Sequence, residues 1–193
     1  MISQNFIYLS LLFVVIGNGG YIINTWKGKT QPNRVSWFLW PLAALVTLLS
    51  QNKLGGGIVL LYTAMQVVLP FCVFLASFKN KKAYWKLTKY DYICGLVSFT
   101  GIVTLIFTKQ PMAALILGIT SDFFASIPTF KKCYTHPKTE YWKTYFFGVF
   151  SSLIAVLTVK NWVFAEYSFA LYYMLGNMVV VGLILMPRQP KKI

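Results

Sequence analysis

The sequence predicts an all-α integral membrane protein: seven transmembrane helices grouped three, one, three, with the N-terminus outside and the C-terminus in the cytoplasm. Three observations point there. Of 193 residues, 57% are hydrophobic and only 11% charged, whereas a soluble domain carries about 25% charged residues. The apolar residues fall in runs near the roughly 20 residues needed to cross a bilayer. Finally, a turn is written twice: QPNRVSW from Gln31 to Trp37 returns as HPKTEYW from His136 to Trp142, with Pro and Trp both displaced by 105 positions.

Taken in order, the runs are Phe6 to Trp26, Val35 to Ser50, Gly57 to Phe78, Tyr92 to Thr108, Met112 to Phe130, Tyr141 to Val159 and Tyr167 to Met186. The first is expected to stay in the mature chain, because Met1 to Asn5 carries no positive charge and no small-residue cleavage site closes the run. Assigning the connections alternately to two faces places fifteen Lys and Arg residues on one face and three, Lys53, Lys109 and Lys160, on the other. Basic residues concentrate on the cytoplasmic side of membrane proteins, which sets the orientation. The net charge of +14 therefore reads as topology and not as a nucleic-acid surface. The basic run Lys79 to Lys89 is expected to lie on anionic lipid headgroups.

Superposing the two turns aligns Trp40 with Tyr145 and leaves helices on either side of each turn. The chain then divides into a first three-helix unit (1–90), a linker helix (91–110) and a second three-helix unit with a basic tail (111–193). An odd linker helix lets both units enter the membrane in the same direction, a parallel repeat about an axis along the membrane normal. The linker carries Gly95, Ser98 and Gly101 at a spacing of three, a small-residue face suited to close helix packing. Pro32 and Pro137 stop the preceding helix and constrain the residue before them. The paired Trp37 and Trp142 are expected in an aromatic belt at the cytoplasmic interface.

Two stretches, GYIINTWKGKTQPNRVSWFLW and SDFFASIPTFKKCYTHPKTEYW, make the chain resemble the SWEET and PQ-loop superfamily of seven-helix transporters, most closely its small bacterial homologues. The dipeptide that names the motif is Pro32-Asn33 in one half and Pro137-Lys138 in the other. The resemblance implies transport by alternating access in the bacterial inner membrane. It also implies prolines that hinge the helices around the pathway, for which Pro41 and Pro128 stand here, while Gly17, Gly19, Gly20 and Gly148 occupy the other two helices.

Four acids exist. Asp91 and Glu140 are expected near cytoplasmic span ends and Glu166 near an outer one, but Asp122 falls mid-span. A charge there costs about 2.5–3.5 kcal/mol on insertion scales and marks function by default, so Asp122 is the candidate for proton coupling. By the resemblance, it stands where proton-coupled exporters keep an intramembrane Asp. Asn18, Gln66 and Asn177 lie at mid-depth, and Gln66 and Asn177, 111 positions apart, are expected to face each other across the repeat axis; the resemblance implies a substrate-holding pair. Tyr62 and Tyr173 share that offset. With Trp40 and Tyr145 they are expected to supply aromatic walls, whose flat faces suit a sugar, a nucleoside or an amino-acid side chain.

Other chemistries lack their residues. Intramembrane proteolysis by paired acids needs a second mid-membrane carboxylate, metal chemistry needs a ligand cluster, and a retinal Schiff base needs a lysine in the last span. Cys72, Cys94 and Cys133 read as packing residues, and His136 as a solvated loop residue. The expectation is thus a secondary transporter of a small polar molecule, not an enzyme, without cofactor or metal. Its partners are the substrate and membrane lipids but no nucleic acid, and it acts as a monomer or homo-oligomer. The alternative is a receptor or assembly protein on the same fold, as the KDEL-retrieval receptors are; these read peptide ends with basic residues in the cavity, and no Lys or Arg lies at mid-depth here.

Overall fold

A computed structural model describes residues 2–81, 83 and 89–186, with the side chains of Asp91, Cys94, Ser98, Ile102, Leu105 and Thr108 outside the description. Among the described residues the chain is helical, without strands. Seven α-helices run Ile7–Trp26 (α1), Arg34–Lys53 (α2), Leu60–Ser77 (α3), Lys89–Val103 (α4), Pro111–Thr135 (α5), Trp142–Leu157 (α6) and Phe164–Leu185 (α7). Four segments, Gln4–Trp26, Gly57–Ser77, Pro111–Thr135 and Phe164–Leu185, are long and apolar enough to cross a membrane. The chain is a membrane protein.

Helix ends follow local chemistry. Asn33 caps α2, its Oδ1 accepting from the Val35 N–H at 3.1 Å, which satisfies one of the donors orphaned at a helix start. A five-residue π turn, Thr104–Thr108, extends α4, and Lys109 then takes φ 54° to reverse the chain. Pro111 opens α5 at the one position where a missing N–H costs nothing. Helix α5 runs five residues past the expected Phe130 and stops at His136 (φ −135°), held out of helical backbone by the following Pro137.

The helices pack as a closed ring: α1 on α3, α3 on α2, α2 on α5, α5 on α7, α7 on α6 and α6 back on α1, with α4 outside against α5 and α2. The end where α1 begins is here the upper end, and the end carrying the two Pro turns the lower end. Large apolar side chains point outward on every helix, among them Leu12, Leu49, Leu75, Phe99, Ile116, Phe150 and Met178. The interior is instead rich in small polar groups, including Ser10, Thr47, Gln51, Thr63, Ser121, Thr144 and Ser152. This inverted distribution is what lipid selects, since polar side chains find partners only inside the bundle. Helix α2, with its polar ends, buries twelve of its twenty residues, so little of it meets lipid.

Close crossings rest on glycine. A Cβ on Gly118 of α5 would fall 2.5 Å from Thr47 Oγ1 and 3.2 Å from the Ala43 carbonyl of α2; on Gly17 of α1 it would meet the Thr144 carbonyl of α6 at 3.1 Å. The expected small-residue face on α4 is only partly used: Gly101 packs on Leu117 and Val46, while Gly95 has open space around it and Ser98 lies outside the described side chains. Gly118→Val is therefore expected to destabilise the protein by about 1–3 kcal/mol through overpacking in detergent unfolding experiments. Gly19→Ala, with nothing within 4 Å, should leave stability unchanged or raise it by up to about 1 kcal/mol. Equal effects would show that the α2 to α5 crossing is not tight.

Candidate functional site

Every helix of the ring, and not α4, contributes to one internal cavity with about 80 Å³ open to water, room for roughly five to eight molecules at about 10–15 Å³ each. Its walls are Val14 and Asn18 of α1, Trp37 and Trp40 of α2, Gln66 and Pro70 of α3, Asp122, Ser126 and Phe130 of α5, Thr144, Tyr145, Gly148 and Ser151 of α6, and Tyr172, Tyr173, Gly176, Asn177 and Val180 of α7. Above it the ring closes on an apolar plug in which Ile7, Val59, Tyr62, Val159 and Phe169 are fully buried.

Asp122 is 2% exposed. Tyr172 donates to its Oδ2 at 2.7 Å and Tyr173 to its Oδ1 at 3.5 Å. One turn further along α5, the Ser126 hydroxyl donates to the Asp122 carbonyl at 2.9 Å and accepts from Trp40 Nε1 at 3.0 Å. The carboxylate is thus oriented from α7, and the helix bearing it is tied to α2. Among the described residues no Lys, Arg or His lines the cavity.

A second buried acid sits at the lower end. Glu140, expected as an ordinary span-end residue, has a side chain only 1% exposed and pairs with Lys132 at 2.5 Å. Its other oxygen accepts from Tyr21 at 2.8 Å and Tyr145 at 2.9 Å. Lys132 also donates to the Gln31 carbonyl, and the Gln31 N–H donates to the Thr139 carbonyl at 2.9 Å. The two Pro turns therefore meet, joined by a charged latch under the cavity. Its cation sits in the last turn of α5, where the helix dipole favours it. Glu166, also expected at a span end, is likewise buried, against Gly57 and 3.4 Å from Asn161 Nδ2. Asp91 and Cys94 lie outside the described side chains, as does most of the basic run from Lys79.

Of the residues singled out from sequence, Asn18, Trp40, Gln66, Asp122, Tyr145, Tyr173 and Asn177 line the one cavity. Asn177 presses its amide against Gly148, where a Cβ would fall 2.6 Å from its Oδ1. Tyr62 is set behind the wall, edge-on to Tyr173 with ring centroids 6.4 Å apart. Its hydroxyl lies beside Ser151, Ser152 and Gln66 yet has no partner in hydrogen-bonding geometry among the described residues. Pro41 is buried within α2, and Pro128 lines a separate hollow near the α5 C-terminus; the proline that reaches the cavity is Pro70. Trp37 is 3% exposed, packed on Tyr21 at 4.6 Å and Trp40 at 5.0 Å, so it belongs to the wall and not to an aromatic belt. Trp142 is half-buried against Phe146. His136 is exposed, as expected.

No family model, characterised protein or solved structure matches the chain.

Sequence reading overlooked Tyr172 and the latch. One signal was present: at the repeat offset, Glu140 stands where the first unit has Val35, an acid at an apolar position. Lys132→Met leaves the Glu140 carboxylate buried without its cation and is expected to cost about 3–5 kcal/mol. Adding Glu140→Gln to it should recover part of that loss, so the two effects are non-additive. Detergent unfolding of the four proteins checks this, and strict additivity would mean that the pair contributes nothing as a pair.

Proposed function

We propose that the protein is a secondary transporter of a small polar molecule, working by alternating access with α1 to α3 and α5 to α7 as two parallel units and α4 as their linker. The observation that carries this reading is the cavity inside the ring, lined by Asp122 and the amides of Asn18, Gln66 and Asn177 and lying between the apolar plug and the latch that joins the two Pro turns. A cavity that each helix of both units helps to line is where rocking of one unit against the other exchanges access. The contact pattern supports two related units: exchanging α1, α2 and α3 with α5, α6 and α7 maps the ring onto itself. Outward apolar faces on α2, α4 and α6 as well support seven spans in place of four.

On this reading the chain is a bacterial inner-membrane member of the SWEET and PQ-loop superfamily, with its upper end outside and its latch in the cytoplasm. A membrane-impermeant maleimide added to intact cells, in a cysteine-free background, should label Lys160→Cys and spare His136→Cys. The reverse pattern would invert the orientation.

Asp122 suits proton coupling, because a carboxylate enclosed in the cavity and free of a protein cation exchanges a proton at low cost. Counterflow in proteoliposomes, over a panel of sugars, amino acids and nucleosides, tests transport directly. One-to-one proton coupling should concentrate substrate about tenfold per pH unit of gradient. Asp122→Asn is expected to abolish that dependence while exchange at millimolar substrate persists. An unaltered gradient dependence in the variant would remove Asp122 from the coupling.

A further inference from the structure

We propose that the cavity takes small organic cations, an ammonium head lodging between the Asp122 carboxylate and the aromatic walls, and that this cation and a proton compete for Asp122. The proposal rests on the transporter reading and names the substrate class of the same site.

Among the described side chains there are three acids, Asp122, Glu140 and Glu166, all of them buried. Glu140 has its own cation, Lys132. Glu166 lies at the upper end with an amide beside it. Among the described residues Asp122 receives only tyrosine hydroxyls. Two donors suit an ionised carboxylate, which only accepts hydrogen bonds, but they do not cancel its charge. Facing it are Tyr172 and Tyr173 from α7, Tyr62 from behind on α3, Tyr145 across the cavity on α6, and from α2 the neutral Trp37 and Trp40, while α4 contributes no wall residue among those described. The Lys132 and Glu140 charges offset each other at the lower end. The missing positive charge is therefore left to something that enters the cavity, a proton or a ligand.

The remaining walls favour the ligand. Trp37, Trp40, Phe130, Tyr145, Tyr172 and Tyr173 surround a space of about 80 Å³. Aromatic faces attract cations through their quadrupoles, and an aromatic cage is how alkylated ammonium groups are recognised. A sugar would call for many hydrogen-bonding side chains, yet two amides here are committed in part: Asn18 Nδ2 donates to the Val14 carbonyl at 3.1 Å and Asn177 Nδ2 to the Tyr173 carbonyl at 2.8 Å. When the cation enters, the proton leaves Asp122 for water, so the site is neutral with either occupant. The corresponding cycle is a one-for-one exchange of proton for organic cation.

The test needs no variant at its core. Methylammonium, tetramethylammonium and choline are titrated into the detergent-purified protein while tryptophan fluorescence is followed, beside 3,3-dimethylbutan-1-ol, which has the shape of choline without its charge. Choline is expected to bind saturably and about ten- to thirtyfold more tightly than the alcohol, the range for a desolvated cation held against aromatic faces. Lowering the pH should weaken choline and leave the alcohol unaffected, and Asp122→Asn should erase the preference. Equal affinities, or no saturable binding of any of the three cations, overturns the proposal, as does a neutral sugar that binds when they do not. Counterflow then separates the two readings: sugar flux without cation binding keeps the transporter and discards the cation, whereas cation binding without flux of any solute does the reverse.

Discussion

Lipid offers no hydrogen bonds, and the rest of the structure follows from that. Each polar side chain in these helices must find a partner within the bundle. The result is a ring whose outer faces carry Leu, Ile and Phe and whose inner faces carry Ser, Thr, Asn and Gln. Individual bonds show the rule at work. The Ser10 hydroxyl donates to the Ser151 carbonyl at 2.7 Å, and Thr144 to that of Gly17 at 2.8 Å, both between α1 and α6. Gln51 spans from Thr63, whose hydroxyl it accepts at 2.7 Å, to the Ala165 carbonyl at 2.7 Å. Glycine at Gly17 permits the short distance that the two α1 to α6 bonds require, as Gly118 does for the crossing of α2 and α5.

The same constraint separates the buried acids by role. Glu140 lies in a site that supplies a lysine and two tyrosines, so its charge is satisfied within the protein and the two Pro turns are held together. Asp122 lies among hydroxyls and rings, so its carboxyl group is oriented from α7 but, among the described residues, has no cation beside it. A latch needs internal satisfaction, because a group with its own cation holds its neighbours in one arrangement. Between them Tyr145 belongs to both, donating to Glu140 while lining the cavity. It is the direct physical link between the cavity above and the latch below.

Aromatic residues do two jobs in this bundle. Phe146 and Phe150 pack edge-to-face along the outer face of α6, with centroids 4.9 Å apart, where bulk and apolarity suffice. Trp37, Trp40 and Tyr21 form an inward cluster, where each ring also presents a polar tip: Trp40 to Ser126, Tyr21 to Glu140. Composition cannot distinguish these two populations, since both read as aromatic residues in apolar runs.

The sequence by itself determined the helices and their number, because length and apolarity are local properties that a bilayer reads directly. The doubled turn marked two stretches that the structure brings into contact, and the acid in the middle of an apolar run marked a residue that is buried in the cavity wall. Asn18, Trp40, Gln66, Asp122, Tyr145, Tyr173 and Asn177 were legible as candidates for the same reason: polar or amphipathic groups at depth must face inward. Only the tertiary structure decided which of them meet. Tyr172 became an Asp122 partner, Tyr62 went behind the wall, and Pro70 replaced Pro128 at the cavity through helix rotation, which a nearly all-apolar span does not encode in its own pattern. The pairing of Lys132 with Glu140 and of both turns with each other was likewise out of reach. The pair itself spans only eight positions, but what buries it, Tyr21 on Glu140 and the Gln31 carbonyl on Lys132, comes from residues more than a hundred positions away.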